Sequence, residues 1–520
     1  MPRRTWLLTL VCFLLVLGGT VFAQTGLELP AIFGDHMVLQ RDRPVVVWGS
    51  GNTGDEVTVS IAGQNVKTEI DDNGHWSITL AKLEASDKPL EMTVKTSAGD
   101  SITYKDVLVG EVWLCSGQSN MRRGVIASEN GKKEIAAAQF PQIRLISVPN
   151  VGTQEPQSNF AGAWVACSPQ TVGKFSATGY FFGRAIYQAL KVPVGLIDCS
   201  WSGSTCESWI NRSALEADPE YREMLTKWDE VVKSYDPQKA EKEWQDKKAQ
   251  WQRQVAEAKA SDKTPPKAPP KPNDPRTGNA RPANCYNGML LPLKPFTIRG
   301  VIWYQGEANI GRPDQYRHLF PLLIRQWREE WGQGDFPFGF VQIAPYRYKN
   351  HDPADCAKLW EAQTMTLQNS PNTGMVVTVD IGDVANIHPK NKQEVGRRLA
   401  LWALAKVYDR PQIYSGPLYK SMAVEGDKIR LQFDHIGGGL IAQDDKPLTE
   451  FTIAGDNQHF EPATAVIDGD TIVVHSDRVA QPAAVRFAWR DTASPNLANK
   501  EGLPASPFRT DTWKKSSSEK

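Results

Sequence analysis

The sequence predicts an α/β protein in which a three-layer α/β/α domain with a parallel sheet is flanked by an N-terminal and a C-terminal β-sandwich-like domain. Three observations predict it. Between Val107 and about Asp409, short apolar runs alternate with stretches of helical periodicity, the order that builds a parallel sheet covered by helices. On either side the runs are brief, alternate apolar with polar and are separated by turn residues, as in antiparallel β domains. A chain of 520 residues also exceeds what a single hydrophobic core accommodates, so two or three domains are expected.

In chain order, residues 1–23 read as a secretory signal. Arg3 and Arg4 precede an apolar run, and Val21 and Ala23 place small residues at the minus-three and minus-one positions before Gln24. The run is short for a spanning helix and no later stretch is long and apolar enough for one, so export to the periplasm or the medium is the expectation, with no integral membrane segment after cleavage. Residues 24–106 carry alternating runs at 45–48, 56–61, 76–80 and 92–96, punctuated by Gly51-Asn52, Asn73-Gly74 and Gly99-Asp100. Asp35, His36 and His75 read as surface or turn residues of this domain.

Residues 107–409 supply candidate strands at 107–115, 143–148, 194–199, 300–304, 338–343 and 375–379. Tyr316, Leu319, Phe320, Leu323 and Trp327 fall on one stripe of a helix, as do Val395, Leu399 and Trp402 on another. Residues 211–284 interrupt the pattern with a charge-rich helical excursion, Trp244, Trp251 and Val255 at helical spacing, followed by a Pro/Lys tract over 264–275. Its interleaved acidic residues favour a solvated surface over a polyanion site. Residues 410–512 return to β runs at 428–433, 450–453, 471–475 and 484–489, and 513–520 form a tail.

Three strand ends deliver polar residues. The run VLVGEVWLCSGQSNM ends in a tight turn with Ser119 at its tip, VIWYQGEAN ends in a loop with Gly306 and Asn309, and MVVTVDIGDVANIHPKNK ends in Asp380, Asp383 and His388. An open α/β sheet gathers its site from loops at the carboxyl ends of its strands. A serine on a strand-turn-helix corner reads as a nucleophile, and His388, closing a strand-end loop before a helix, reads as its base.

Together with FGDHMVLQRDRPVVVWG and NKEGLPASPFRTD, these blocks resemble the sialate O-acetylesterases, carbohydrate esterases of the SGNH hydrolase superfamily. The resemblance spans nearly the whole chain after the signal and implies an SGNH, flavodoxin-like α/β/α domain and a cofactor-free serine esterase acting on O-acetylated carbohydrates. It also implies an oxyanion hole from the backbone N–H of Ser119, the backbone N–H of Gly203 in SWSGSTCESW, and the side chain of Asn309. Ser202 departs from the glycine that relatives carry beside Gly203. The family's triad aspartate should stand three residues before the histidine, where this chain has Ala385. Two readings stay open: Asp383, five before, reaches the imidazole, or a backbone carbonyl orients His388 and a Ser-His dyad remains. Gln305 and Glu307 either bind sugar hydroxyls or tie down their loop, and Gln118 is a third candidate contact. Arg122 stands where many relatives carry Glu, and reads either as a cation for a sugar carboxylate or as a surface arginine.

Lys plus Arg and Asp plus Glu both total 59, so no net field steers the chain to nucleic acid or an anionic membrane. No metal-ligand spacing is present. Of the six cysteines after the signal, Cys115 and Cys199 lie in predicted core strands as buried thiols, and Cys206 with Cys285, which flank the insertion, is the preferred disulfide. An acetyl-xylan or other polysaccharide acetylesterase is the nearest rival. A non-catalytic glycan-binding protein, which 17 Trp and two β domains would suit, is the rival from another class.

Overall fold

The computed structural model describes residues 26–513. The signal read at 1–23 and nearly all of the tail lie outside these residues. Six strands precede the α/β domain: β1 (Val38–Gln40), β2 (Val45–Ser50), β3 (Glu56–Ile61), β4 (Gln64–Glu69), β5 (His75–Leu80) and β6 (Ser86–Thr96). In β2, β3 and β5 burial alternates along the chain, as expected when one face of a sheet meets a core and the other meets water. The run at 64–69 escapes an apolar pattern search because Val66 is its lone apolar residue.

Strand β7 (Ser101–Gly117) belongs to both domains. Burial alternates as far as Asp106 and is then complete from Val107 to Gly117. Its first part pairs with β6 and β1, Gln40 opposite Gly110. From Glu111 onward it pairs with the strands of the parallel sheet. The domain boundary read at 106/107 therefore falls inside one continuous strand, and the partners change at Gly110 and Glu111. A buried knot marks that point: Arg41 Nε donates to Glu111 Oε1 at 2.5 Å, Arg299 Nε to Glu111 Oε2 at 2.7 Å, and Gln40 Oε1 accepts from Val112 N at 2.8 Å. The two guanidiniums hold the Glu111 carboxyl below its ordinary range although burial pulls the other way.

The parallel sheet adds β8 (Phe140–Ser147), the short antiparallel β9 (Val165–Cys167), β10 (Val194–Ser200), β11 (Gly300–Tyr304), β12 (Phe338–Val341) and β13 (Thr373–Val376). Its order is β13-β12-β11-β7-β10-β8-β9. From β7 the chain crosses outward to β8 and β9, comes back inward to β10 beside β7, then crosses to β11 on the other side and winds outward through β12 and β13. The carboxyl end of β7 is thus a topological switch point, where a crevice opens between diverging loops.

The helices are α1 (Ser119–Arg122), α2 (Gly131–Ala136), α3 (Ala177–Leu190), α4 (Arg212–Glu216), α5 (Arg222–Ser234), α6 (Pro237–Ala260), α7 (Pro313–Trp331), α8 (Pro353–Asn369) and α9 (Lys392–Lys406). On one face Trp113 of β7 meets Phe182 of α3 and Trp402 of α9. On the other, Trp303 of β11 meets Phe320 and Trp327 of α7. The stripe read from Tyr316 to Trp327 is fully buried, each side chain contributing about 1.5–3 kcal/mol by leaving water.

The insertion is helical through α4, α5 and α6, and no residue of α6 is buried. The Pro/Lys tract runs back along α6, with Trp251 Nε1 donating to Pro266 O at 2.8 Å and Trp244 Nε1 to Pro269 O at 3.4 Å. It is a solvated arm, as the charge interleaving predicts. The C-terminal region forms two four-stranded antiparallel sheets and a two-stranded one around its own apolar cluster. It docks on the α/β domain through Arg509 to Glu361 at 2.7 Å and Gln342 Nε2 to Ser506 Oγ at 2.9 Å. No helix among the described residues is long and apolar enough to cross a membrane.

The expected Cys206–Cys285 disulfide is absent. All six cysteines of the described residues are free and buried; Cys206 Sγ faces the Leu319 carbonyl at 3.9 Å, whereas Cys285 Sγ faces that of Asn279 at 3.7 Å. Cys115 and Cys199 are buried thiols, as read, with burial raising both well above the usual thiol range.

Candidate active site

Ser119 opens α1 at the end of β7, 9% exposed. Gly117 makes the corner: its φ is +132°, and a Cβ there would stand 2.2 Å from the Tyr304 carbonyl oxygen, so only glycine lets β7 turn this close to β11. The corner is held on all sides. Gln118 N donates to Tyr304 O at 2.9 Å and Trp201 N to Gly117 O at 3.0 Å. Ser176 Oγ and Thr178 Oγ1, at the start of α3, donate to the carbonyls of Met121 and Asn120.

The loops after β10 and β11 converge on this corner. Gly203 lies in the turn after β10 at φ +79°. Among the described residues, neither its N–H nor that of Ser119 has a hydrogen-bond partner within the protein. Asn309 is 1% exposed, and its orientation is fixed: Oδ1 accepts from Cys206 N at 2.9 Å and Gln305 Nε2 at 2.7 Å, while Nδ2 donates to Glu207 Oε2 at 2.9 Å. One Nδ2 hydrogen is left over. If that hydrogen serves an oxyanion, Asn309→Ala is expected to lower kcat on the order of 100- to 1000-fold with little change in KM, measured on p-nitrophenyl acetate.

The readings of Gln118, Gln305 and Glu307 as sugar contacts give way to loop tethers. All three are buried. Gln118 Oε1 accepts from Gly306 N and Ala308 N at 3.3 and 3.1 Å. Gln305 Nε2 donates to Ser204 O and its Oε1 accepts from Tyr316 OH. Glu307 Oε1 accepts from Asn120 Nδ2 at 2.6 Å.

His388 stands half-buried in the loop before α9. Asn120, the neighbour of Ser119, donates from Nδ2 to the carbonyl of Ile387, the neighbour of His388, at 3.0 Å. The two loops are thereby fastened one residue away from each chemical group. No hydrogen bond joins Ser119 Oγ to the imidazole, which is common before substrate tightens such a pair. Burial, then the cations Arg123 and Lys392, lower the His388 pKa. A lowered value keeps the ring neutral, and so able to accept a proton, to a more acidic pH.

Asp383 is not brought to His388. It is exposed, its Oδ1 accepts from Ala385 N at 3.0 Å and its carbonyl from Asn386 N at 2.9 Å. Asn386 Oδ1 in turn accepts from His388 N at 3.1 Å. The carboxylate closes an Asx turn two residues on and does not double back to the ring. Asp380 is likewise engaged, accepting from both terminal guanidinium nitrogens of Arg398 at 2.8 and 2.6 Å. Among the described residues no carboxylate hydrogen-bonds the imidazole.

Arg122 is anchored rather than free, its Nη1 3.3 Å from Oδ2 of buried Asp198. Burial pushes the Asp198 carboxyl up to about 6 despite that guanidinium. The next residue, Arg123, is exposed, faces His388 electrostatically and has no ion pair among the described residues. Sequence reading missed Asn120, Arg123 and Lys392. Asn120 and Lys392 sit inside the quoted GQSNM and IHPKNK blocks, but polar residues there carry no periodic signal that separates a tether from a surface side chain.

Residues 109–242 and 280–405 match the family described as carbohydrate esterase, sialic acid-specific acetylesterase. The gap between the two spans covers most of α6 and the Pro/Lys tract. The chain is 30% identical to the sialate O-acetylesterase of Rattus norvegicus over 94% of this chain and 93% of that protein. With the Homo sapiens sialate O-acetylesterase the identity is 27%, over 95% and 94%. A crystal structure of a carbohydrate acetylesterase from Xanthomonas citri superposes with a TM-score of 0.79 at 35% identity, covering 94% of this chain and all of that one.

Proposed function

The chain belongs to the sialic acid-specific acetylesterase family of carbohydrate esterases, which makes it a carboxylic ester hydrolase, and from that premise we propose that it deacetylates O-acetylated sialic acids through an acyl-enzyme on Ser119. The hydroxyl proton passes to the His388 imidazole as Oγ bonds to the acetyl carbon. The charge on the carbonyl oxygen is met by the N–H groups of Ser119 and Gly203 and by Asn309. The imidazolium returns the proton to the departing sugar oxygen, and a water activated by the same ring then releases acetate. The Asn120 to Ile387 bond carries this reading, because it fastens the nucleophile turn to the loop of the base at the switch point of the sheet. The basic, apolar and small-residue order of residues 1–23 supports export, with action on glycans outside the cytoplasm.

An acidic sugar gives Arg123 a role: an exposed guanidinium beside the base suits a carboxylate. The test is acetate release from O-acetylated sialic acids and from acetylated xylan. Arg123→Ala is expected to raise KM about 10-fold for the sialic acid and to leave p-nitrophenyl acetate hydrolysis within a few-fold of the parent protein. Equal use of xylan, with no effect of Arg123→Ala on either substrate, favours the polysaccharide esterase reading. That second reading draws on the Xanthomonas citri relative, described by the wider term carbohydrate acetylesterase.

A further inference from the structure

We propose that Lys392, Asn120 and Glu307 form a buried brace that holds the Ser119 turn and the His388 loop in working register. The proposal rests on Ser119 and His388 as nucleophile and base. Lys392 opens α9, where a cation opposes the helix macrodipole, and it is only 2% exposed, so its ammonium has also lost its hydration. A residue that violates two local rules at a strand-end crevice is explained by the site and not by the helix.

Its ammonium donates to Asn120 Oδ1 at 2.6 Å and lies 5.0 Å from the centroid of the Tyr304 ring. The same carboxamide donates to Glu307 Oε1 and to the Ile387 carbonyl at 2.6 and 3.0 Å. One side chain thus joins three strand-end loops. Glu307 Oε2 is buried with no hydrogen-bond partner among the described residues, and burial raises the Glu307 carboxyl, opposed by Asn120 and by the charge on Lys392. The charged groups that face Lys392 are Glu307 from the loop after β11 and Arg123 from the end of the nucleophile helix. Those that face His388 are Arg123 and Lys392. Burial lowers the Lys392 ammonium to about 7, so on the acidic side of neutrality, where the base takes its proton, Lys392 is one of two cations that discourage that protonation, as well as the strut that orients Asn120.

Lys392→Met is expected to lower kcat about 10- to 100-fold with KM for p-nitrophenyl acetate little changed, because small misplacements of reacting groups are costly. It should also move the acidic limb of kcat/KM upward, since the imidazole then keeps its proton to higher pH. Should that variant fail to fold against an unpaired Glu307, Lys392→Met with Glu307→Gln removes both charges at nearly constant shape. The double variant should show the parental melting temperature and the same two kinetic changes. A folded variant with parental kcat, or with lowered kcat and an unmoved acidic limb, overturns the brace. Ser119→Ala separates the two readings: full hydrolysis in that variant removes the nucleophile assignment, whereas an inactive Ser119→Ala beside parental Lys392 variants removes the brace alone.

Discussion

Ser119→Ala is expected to lower p-nitrophenyl acetate hydrolysis on the order of 10⁴-fold or more while leaving the melting temperature within about 2 °C of the parent. Among the described residues the hydroxyl has no hydrogen-bond partner, and the turn around it is held by backbone bonds and by the side chains of Gln118, Asn120, Ser176 and Thr178. Its removal therefore takes away the nucleophile and little else. What remains is the background supplied by oxyanion donors and binding. A variant that keeps more than a tenth of the parental rate would place the chemistry elsewhere.

His388→Ala should be nearly as severe, on the order of 10⁴-fold, because nucleophile and base act as a unit and losing either removes most of the benefit of both. Asp383→Asn should cost only a few-fold. In a triad with a hydrogen-bonded carboxylate that replacement costs about 10⁴-fold, but here the Asp383 oxygen serves the Ala385 amide, and an asparagine carbonyl can do the same. Steady-state rates for the two variants side by side decide between dyad and triad. A large loss at Asp383 would mean that the loop refolds when substrate binds.

The architecture was legible because its signal is periodic. The strand 300–304 matches observation to the residue, and the stripe from Tyr316 to Trp327 is buried as its spacing requires, since burial on one face constrains every third or fourth position. Ser119, Gly203, Asn309 and His388 drew attention for a different reason, each standing in a short block at the end of a strand, with the roles of Gly203 and Asn309 implied by the family resemblance. The site's wiring was not. Asp383 and Asp380 look alike in sequence, yet one closes a turn and the other pairs with Arg398, and only the path of the loop separates them. Arg122 and Arg123 are adjacent, and which of them meets buried Asp198 depends on helical phase in a helix of four residues. Lys392 reads as an ordinary surface lysine until the fold closes over it. The Cys206–Cys285 pairing failed because flanking an insertion says how two residues are ordered along the chain and nothing about which way their Cβ atoms point.

Strand β7 runs through both the N-terminal sheet and the parallel sheet. Its seventeen residues lead from a sheet edge facing solvent to the nucleophile turn, with a bulge at Asp106, whose φ is +54°, and Glu111, clasped by an arginine from each side, rivets the crossing point. The N-terminal sandwich is consequently less an appendage than a keel, since the ribbon that closes its sheet is the same one that ends at the Ser119 corner.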